Sequence, residues 1–423
     1  MSKELFARLM DGLQQEVPVS IRVNRRKVSS LVLSPADIEP VPWCPSGYYL
    51  PFRPGFTFDP LFHAGVYYVQ EASSMFLDHV VRHLFHHSSF NFHPTLALDL
   101  CAAPGGKSTC LRAALPDDCL LFSNEPVRQR AQILNENILK WGHPDVVVTN
   151  NYALDYRRSG LMFDLILADV PCSGEGMFRK DAQAIEEWSL QNVCHCQQLQ
   201  REIVSDIWQA LKPGGVLVYS TCTFNVHENE ENVLWIAREL GADFVDIPTD
   251  ASWGIAGSLL DEPSLKGADG RKVCRFLPGM TRGEGLFMAV LRKKDADKDD
   301  FYGAKRPALE KTKRSLRVLS HGPLAPQKKG NDLIPDTSEA LSYIYNKVYP
   351  QAEISYDQAI SYLRKETVTL SSDVPRGIVA LTFQGLPLGF AKNIGSRANN
   401  LYPQEWKIRS THIPDYEAIF RPA

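Results

Sequence analysis

Six short apolar runs organise the middle of the chain. They read TLALDLC (95–101), CLLFSNE (119–125), DVVVT (145–149), FDLILADV (163–170), GVLVYSTC (215–222) and LFMAVLR (286–292). An unbroken apolar run of this length is the pattern of a strand buried on both faces of a parallel sheet. Helical periodicity fills the gaps and predicts helices at Val127–Trp141 and Ala182–Leu211, the second closed by LKPGG. Strands alternating with helices predict an α/β core, a parallel sheet covered on both faces. We expect that core over residues 71–293.

The flanks read differently. Residues 1–70 open with a polar amphipathic helix pattern and a strand, VSIRVN, followed by a Pro- and aromatic-rich stretch from Val41 to Pro60. YYVQEASSMFLDHVVRHLF predicts the start of a helix, with Met75, Phe76, Val80 and Leu84 on one face. Residues 294–335 lack periodicity and read as a linker or a segment draped on substrate. Residues 336–423 hold a helix, another at Tyr356–Arg364, and short strands such as GIVALTF, which predict a small α+β or barrel-like module.

Composition narrows the class. A chain of 423 residues points to two or three domains, and 44% apolar with 22% charged residues is ordinary for a soluble globular protein. No run approaches the roughly 18 apolar residues of a membrane span, and the N-terminus lacks a secretory signal pattern. Nine cysteines at irregular spacings argue for a reducing compartment, so the cytoplasm is expected. The net charge of −3 does not advertise nucleic-acid binding, but its distribution is uneven. Residues 301–330 hold eight Lys or Arg against Glu310, and Arg22, Arg25, Arg26 and Lys27 cluster near the N-terminus. Such clusters are usually solvated faces. Against a nucleic-acid substrate they would be candidates for phosphate contacts.

The chemistry sits at the ends of the runs. Ligands of open α/β sheets bind outside the carboxyl ends of the strands. Cys172 follows the FDLILADV run and Cys222 ends the GVLVYSTC run, so two thiols are expected at that edge. LDLCAAPGGKST places a glycine turn, Gly105 and Gly106, between a strand and a helix start, where backbone can approach a ligand. Glu125 lies 26 residues beyond Asp99, a placement suited to a ribose hydroxyl pair. The turn is neither a three-glycine dinucleotide fingerprint nor a phosphate loop. It fits a nucleoside without phosphates, such as S-adenosylmethionine. Asn151, after the DVVVT strand, is placed for the adenine amino group, and Arg130 to brace the site.

These segments carry a resemblance. PVSIRVNRRK, YYVQEASS, LDLCAAPGGKST, DVPCSGEGMFRKD, LKPGGVLVYSTCTFNVHENE and GEGLFMAVLRK, with PLGFAKNIGSRANNLYPQEW near the C-terminus, resemble the Nol/Nop/Sun family of RNA 5-methylcytosine methyltransferases, nearest its bacterial RsmF-type branch acting on 16S rRNA. The resemblance implies a Rossmann-like S-adenosylmethionine-dependent core. It also implies N-terminal (1–70) and C-terminal (336–423) RNA-binding domains, with a basic linker at 294–335. It implies methyl transfer to carbon 5 of a cytosine through a cysteine adduct. Cys222 would be the nucleophile, Cys172 would aid product release, and Lys107 would assist at the base. Asp169 would hold the cytosine-reading edge and face the cofactor, while Cys101, Ala102, Ala103, Pro104, Gly105, Gly106 and Lys107 wrap the methionine end. Cys172 could itself be the nucleophile if one thiol suffices. The expected partner is 16S rRNA or the small ribosomal subunit, with no membrane and a monomeric enzyme. A tRNA methyltransferase and a non-catalytic assembly factor remain alternatives, the latter opposed by the intact Cys172, Cys222 and Asp169. Cys194, His195 and Cys196 invite a metal reading, but positions i and i+2 of a helix do not share a face, so no metal is expected. RFLPGMTRGEG lacks the histidine that often follows its proline in relatives.

Overall fold

All six apolar runs fold as strands, and they lie side by side. The computed structural model describes residues 1–423 except 34–37, 87–92, 268–270, 295–304, 331, 411–419 and 423. The sheet runs in the order Ala242–Phe244, Leu286–Lys293, Leu211–Thr221, Phe163–Asp169, Leu96–Asp99, Leu120–Asn124, Val146–Thr149 and Val318–His321. The five strands from Leu211–Thr221 to Val146–Thr149 are parallel. Leu286–Lys293 is antiparallel to its neighbour, because the chain returns through Val273–Phe276, with which it pairs. The parallel strands are buried on both faces, as their unbroken apolar runs require.

Two helix expectations change. Ala182–Leu211 is not one helix but two, Ala182–Glu187 and Leu190–Trp208. Ser189 caps the second, accepting from Asn192 N at 3.2 Å, so the break at Trp188 is a restart. LKPGG does not close that helix. It forms a bulge between Leu211 and Val216 at the start of the next strand. The chain at YYV is a strand, Tyr67–Val69, and the expected helix begins at Phe76 with Met75, Phe76, Val80 and Leu84 fully buried.

The basic stretch is more ordered than its lack of apolar periodicity suggested. Lys305–Ser315 is a helix, and Val318–His321 adds an antiparallel edge strand beside Val146–Thr149. The expected linker residues 295–304 and 331 lie outside the described residues.

The flanking modules share cores with their neighbours. The N-terminal sheet, Glu39–Val41, Cys44–Leu50, Val19–Val23 and Tyr67–Val69, buries Trp43 and Tyr49 with Phe76 and Phe276 of the central region. Its other face packs Ile21 and Val23 into one cluster with Leu363 of the helix Tyr356–Leu363 and Leu381 of a C-terminal four-stranded sheet. The N-terminal helix, Lys3–Leu13, packs through Leu9 against Phe224 and Leu277. That contact reaches the loop following Cys222. No helix among the described residues is long and apolar enough to cross a membrane.

Candidate active site

Strands Leu96–Asp99 and Phe163–Asp169 are neighbours, yet the chain leaves them toward opposite edges of the sheet. The crevice at their carboxyl ends is the topological switch point. Four segments meet there: 100–107, 125–127, 170–177 and 222–229.

The glycine turn is knitted to the strand ends. Leu100 N donates to Leu167 O at 2.9 Å and Ala102 N to Asn124 O at 2.8 Å. Asn124 reaches both ways, its amide donating to Leu100 O at 2.9 Å and Asn151 O at 2.8 Å. Gly105 has φ +119°, a conformation side chains disfavour, and the helix Gly106–Ala114 starts directly behind it. Arg130 donates to Ala103 O at 3.1 Å and Asn137 to Pro104 O at 2.8 Å, holding the turn from outside. The Cys101 thiol faces this crowd, and burial, then Asp99 and Asp169, push it up.

Two buried carboxylates keep an oxygen unused. Glu125 Oε1 accepts from Val127 N at 2.9 Å, while Oε2 is buried without a hydrogen-bond partner, 3.6 Å from Arg130. Asp99 Oδ2 accepts from Ser108 at 2.6 Å, while Oδ1 is buried without a partner. Burial, with the charges of Asp169 and Glu125, pushes the Asp99 carboxyl up to about 7 against the Ser108 hydrogen bond. A buried acceptor left open costs free energy unless a ligand donates to it. The pair therefore suits a ligand rich in donors. An ammonium group and a ribose diol meet that description, so these residues fit S-adenosylmethionine.

The thiols meet at the next strands along. Cys172 Sγ lies 3.2 Å from Cys222 Sγ, and both residues are half-buried. That hydrogen bond, with burial, holds the Cys172 thiol well above its usual range. The same bond lowers Cys222 against the effect of burial, and the Lys107 charge assists. Lys107 Nζ sits 3.0 Å from Asp169 Oδ2, and Ser220 Oγ donates to Asp169 Oδ1 at 2.7 Å. Burial pulls the Lys107 ammonium down, but Asp169 outweighs it and the group is pushed up to about 12. The arrangement pairs one thiol kept protonated with another biased toward thiolate, the form that acts as nucleophile.

The expected residues Cys101 to Lys107, Glu125, Arg130, Asp169, Cys172 and Cys222 thus converge. Asn151 does not join them. Its amide donates to Arg317 O at 3.1 Å and accepts from Arg317 N at 3.0 Å, so both ends are spent on the basic segment's main chain. The N-terminal basic cluster is also corrected. Arg22 is fully buried, donating to Gln70 at 2.8 Å and Thr109 at 2.6 Å, and Lys27 donates to the carbonyls of Ala64 and Lys140. Arg26 pairs with Asp117 and Arg25 with Tyr48. Arg22 and Lys27 are spent on holding the fold, while Arg25 and Arg26 stay exposed. The loop lacking the histidine packs closely on the N-terminal helix, since a Cβ at Gly279 would lie 2.2 Å from Arg8 O. Among the described residues, no three His, Cys, Asp or Glu side chains gather as metal ligands.

Three residues escaped the sequence reading: Asp99, Glu175 and Glu228. Asp99 served only as a counting origin for Glu125. Glu175 and Glu228 sit inside SGEGM and VHENE, where polar surroundings suggest exposure. Both are buried, and each bonds the other's loop. The only signal in the chain is that each follows its cysteine within six residues, in the loop leaving the strand end.

Comparison with known proteins follows the same division of the chain. Residues 1–72 match the N-terminal domain of 16S rRNA methyltransferase RsmF, residues 92–292 match 16S rRNA methyltransferase RsmB/F, and residues 349–408 match the methyltransferase RsmF PUA domain. Ribosomal RNA small subunit methyltransferase F of Klebsiella pneumoniae is 32% identical, covering 95% of this chain and 92% of that protein. Its counterpart in Cronobacter sakazakii is 31% identical, covering 93% and 90%. Among solved structures, a methyltransferase homolog protein from Pyrococcus horikoshii is 26% identical, covering 68% of this chain and 90% of that one, with a TM-score of 0.52. NSun6 from Pyrococcus horikoshii with SFG, an S-adenosylmethionine analogue, shares the fold at 21% identity and a TM-score of 0.54, covering 70% and 95%.

Proposed function

The chain belongs to the 16S rRNA methyltransferase RsmF family and is an S-adenosylmethionine-dependent RNA methyltransferase, and from that premise we propose that it methylates carbon 5 of a cytosine in 16S rRNA through a covalent adduct to Cys222. The observation carrying this reading is the 3.2 Å contact between Cys172 and Cys222 beside the Lys107–Asp169 pair.

Carbon 5 of cytosine is a poor nucleophile. When bound, S-adenosylmethionine supplies an electrophilic methyl group at the mouth of the glycine turn. Cys101 to Lys107 would cradle its methionine end, with Arg130 bracing the turn. The open oxygens of Glu125 and Asp99 would take its hydroxyl and ammonium donors. Cys222, already biased toward thiolate, adds to carbon 6, and the ring electrons move to carbon 5. The ring nitrogen takes a proton from solvent as the thiolate adds, and Asp169, held by Lys107 and Ser220, presents its carboxylate to that protonated nitrogen and the exocyclic amine. Lys107 compensates the charge beside the base.

Cys172 acts after methyl transfer. Its thiol is raised first by the hydrogen bond to Cys222. Once the Cys222 sulfur is bonded to carbon 6, its negative charge is gone and that cause is lost. Cys172 then gives up its proton to solvent more readily, and the resulting thiolate takes the proton from carbon 5. The electrons re-form the carbon 5–carbon 6 double bond, and Cys222 leaves as thiolate. The reading takes Cys222 as nucleophile from its place in the TC dipeptide and from the Lys107 charge beside it.

The test is bisulfite sequencing of ribosomal RNA and tRNA from a strain lacking the gene. One 16S cytosine should lose its protection and regain it on complementation. Loss in a tRNA alone would move the substrate, and unchanged cytosines throughout would overturn carbon 5 chemistry.

A further inference from the structure

The two thiol loops are bound to each other by carboxylates that cross between them. Glu175, three residues beyond Cys172, opens the short turn Glu175–Met177. Its Oε2 accepts from the main-chain N–H of Phe224 at 2.5 Å and of Asn225 at 2.9 Å, just beyond Cys222. Its Oε1 accepts from Asn225 Nδ2 at 3.0 Å and Trp188 Nε1 at 3.1 Å. Glu228, from the Cys222 side, returns the contact. It accepts from Ser173 N at 3.0 Å, from Ser173 Oγ, from Gln200 at 2.7 Å and from Asn225 at 2.8 Å. Both carboxylates are buried, and every oxygen is occupied by N–H or O–H donors from the protein. Neither has an open site for substrate.

Between them the backbones touch. A Cβ built on Gly176 would lie 2.3 Å from Cys222 O and 3.0 Å from Cys222 Cβ. Nothing larger than hydrogen fits without parting the loops. Gly176 has an ordinary φ, so the demand is for space and not for conformation.

We propose that Glu175 and Gly176, answered by Glu228, are positioning residues that set the Cys172–Cys222 separation and so keep the second thiol in hydrogen-bond contact with the nucleophile. The inference rests on the reading of Cys222 as nucleophile and Cys172 as its partner. At 3.2 Å the two sulfurs are in close contact, and parting their loops weakens that hydrogen bond. The clasp fixes that distance from both sides while touching neither sulfur.

Cys222 titration reads the distance directly. Besides Cys172, the charged groups acting on it are Asp169, Lys107 and Glu228. Gly176→Ala adds no charge, so any change it makes must come from geometry. The measurement is alkylation of Cys222 by iodoacetamide in the full-length protein without RNA, followed by peptide mass spectrometry across a pH series. Cys172→Ala should raise the midpoint by about one unit or more, the scale of a lost hydrogen bond to a charged group. Gly176→Ala should raise it comparably, and should add nothing in the Cys172→Ala background. Glu175→Gln, which turns an NH₂ group toward some of the four donors, should shift it in the same direction by less. It serves alone if Gly176→Ala does not fold. If Cys172→Ala leaves the midpoint unchanged, the pairing of the thiols is wrong, and the positioning role falls with it. If Cys172→Ala moves the midpoint while Gly176→Ala and Glu175→Gln do not, the thiol reading stands and the positioning proposal is overturned. A purely structural role would lower the melting temperature with the midpoint unmoved.

Discussion

The two halves of the crevice treat their carboxylates in opposite ways. In the cofactor half, Asp99 and Glu125 each bury an oxygen with no hydrogen-bond donor. In the thiol half, Glu175 and Glu228 have every oxygen occupied by protein donors. An unsatisfied buried acceptor is destabilising until something donates to it. A saturated one stabilises its loop without help. The cofactor half is thus built to be completed by a ligand, while the thiol half is organised beforehand. This suits the chemistry. A cofactor that comes and goes needs open acceptors, and a nucleophile needs a fixed geometry when substrate arrives.

The largest expected effect separates the two cysteines within the organised half. Cys222→Ala should abolish methyl transfer, by on the order of 10⁶-fold as for loss of a nucleophile elsewhere, with no covalent adduct. Cys172→Ala should still add and methylate but fail to release, leaving protein joined to RNA through the Cys222 sulfur. A denaturing gel with labelled RNA shows a slow band for the second and none for the first. The reverse pattern would exchange their roles. A band for neither, with full activity, would make both thiols structural.

The organised half also rests on a buried ion pair. Arg275 donates to Glu230 at 2.7 and 2.6 Å and to Phe224 O at 2.7 Å, with both side chains fully buried. Removing one partner leaves an uncompensated charge, so Arg275→Met should cost about 3–5 kcal/mol in a denaturant titration. The double variant Arg275→Met, Glu230→Leu should recover part of it. If the single variant melts like the wild type, the thiol loops are not held from below as described.

The open half should respond to ligand and to pH. Glu125→Ala should weaken S-adenosylmethionine binding by roughly 10- to 150-fold, the worth of about 1.5–3 kcal/mol for a hydrogen bond to a charged acceptor. It should not unfold the protein, because the only hydrogen bond lost is the one from Val127 N, worth about 1 kcal/mol. Calorimetry measures both. Asp99 sharpens the contrast, since its carboxyl is pushed up to about 7 from an unfolded value of 3.8. Between those values the folded protein holds a proton that the unfolded chain has lost. Its contribution to unliganded stability therefore falls as pH rises from about 4 to about 7. Cofactor donors favour the carboxylate, so affinity should rise with pH through that window and level off above it. Asp99→Asn should flatten both dependences. An affinity independent of pH in the wild type would remove Asp99 from the site.

Much of this was legible in the chain because burial on both faces leaves no choice of pattern. The six unbroken apolar runs named the strands and, through them, the edge where Cys172, Cys222 and Glu125 gather. What escaped depended on neighbours distant in sequence. Glu175 and Glu228 look like surface carboxylates until the loops of Cys172 and Cys222 close on each other. Asn151 sits at the expected strand end, but the paired Val318–His321 strand, an edge addition with little apolar signal, brings Arg317 to occupy it. The helix over Ala182–Leu211 was read too long because Ser189 resembles an ordinary helix surface residue until its cap is seen.

The smallest expected effect concerns the basic residues, where sequence gave equal weight to two clusters that the fold uses differently. Arg22 and Lys27 are turned inward, onto Thr109, Gln70 and the carbonyls of Ala64 and Lys140. Arg314 is exposed on the helix Lys305–Ser315, and Arg317 is exposed just before the strand Val318–His321. The second pair faces solvent and can meet phosphates, as can the exposed Arg25 and Arg26 of the first cluster. Deleting residues 301–330 would strip an edge strand from the sheet, so the clean test is Arg314→Gln with Arg317→Gln. Each lost phosphate contact should reduce the slope of log affinity against log salt by about 0.7–0.9, a few-fold effect at low salt. Cofactor affinity should be unchanged. Lys27→Met should do the opposite, lowering stability through two orphaned carbonyls while leaving the salt slope as it was. Filter binding of 16S rRNA fragments across a salt series decides it. A slope that falls for Lys27→Met but not for the arginine pair would mean that RNA approaches the N-terminal face instead.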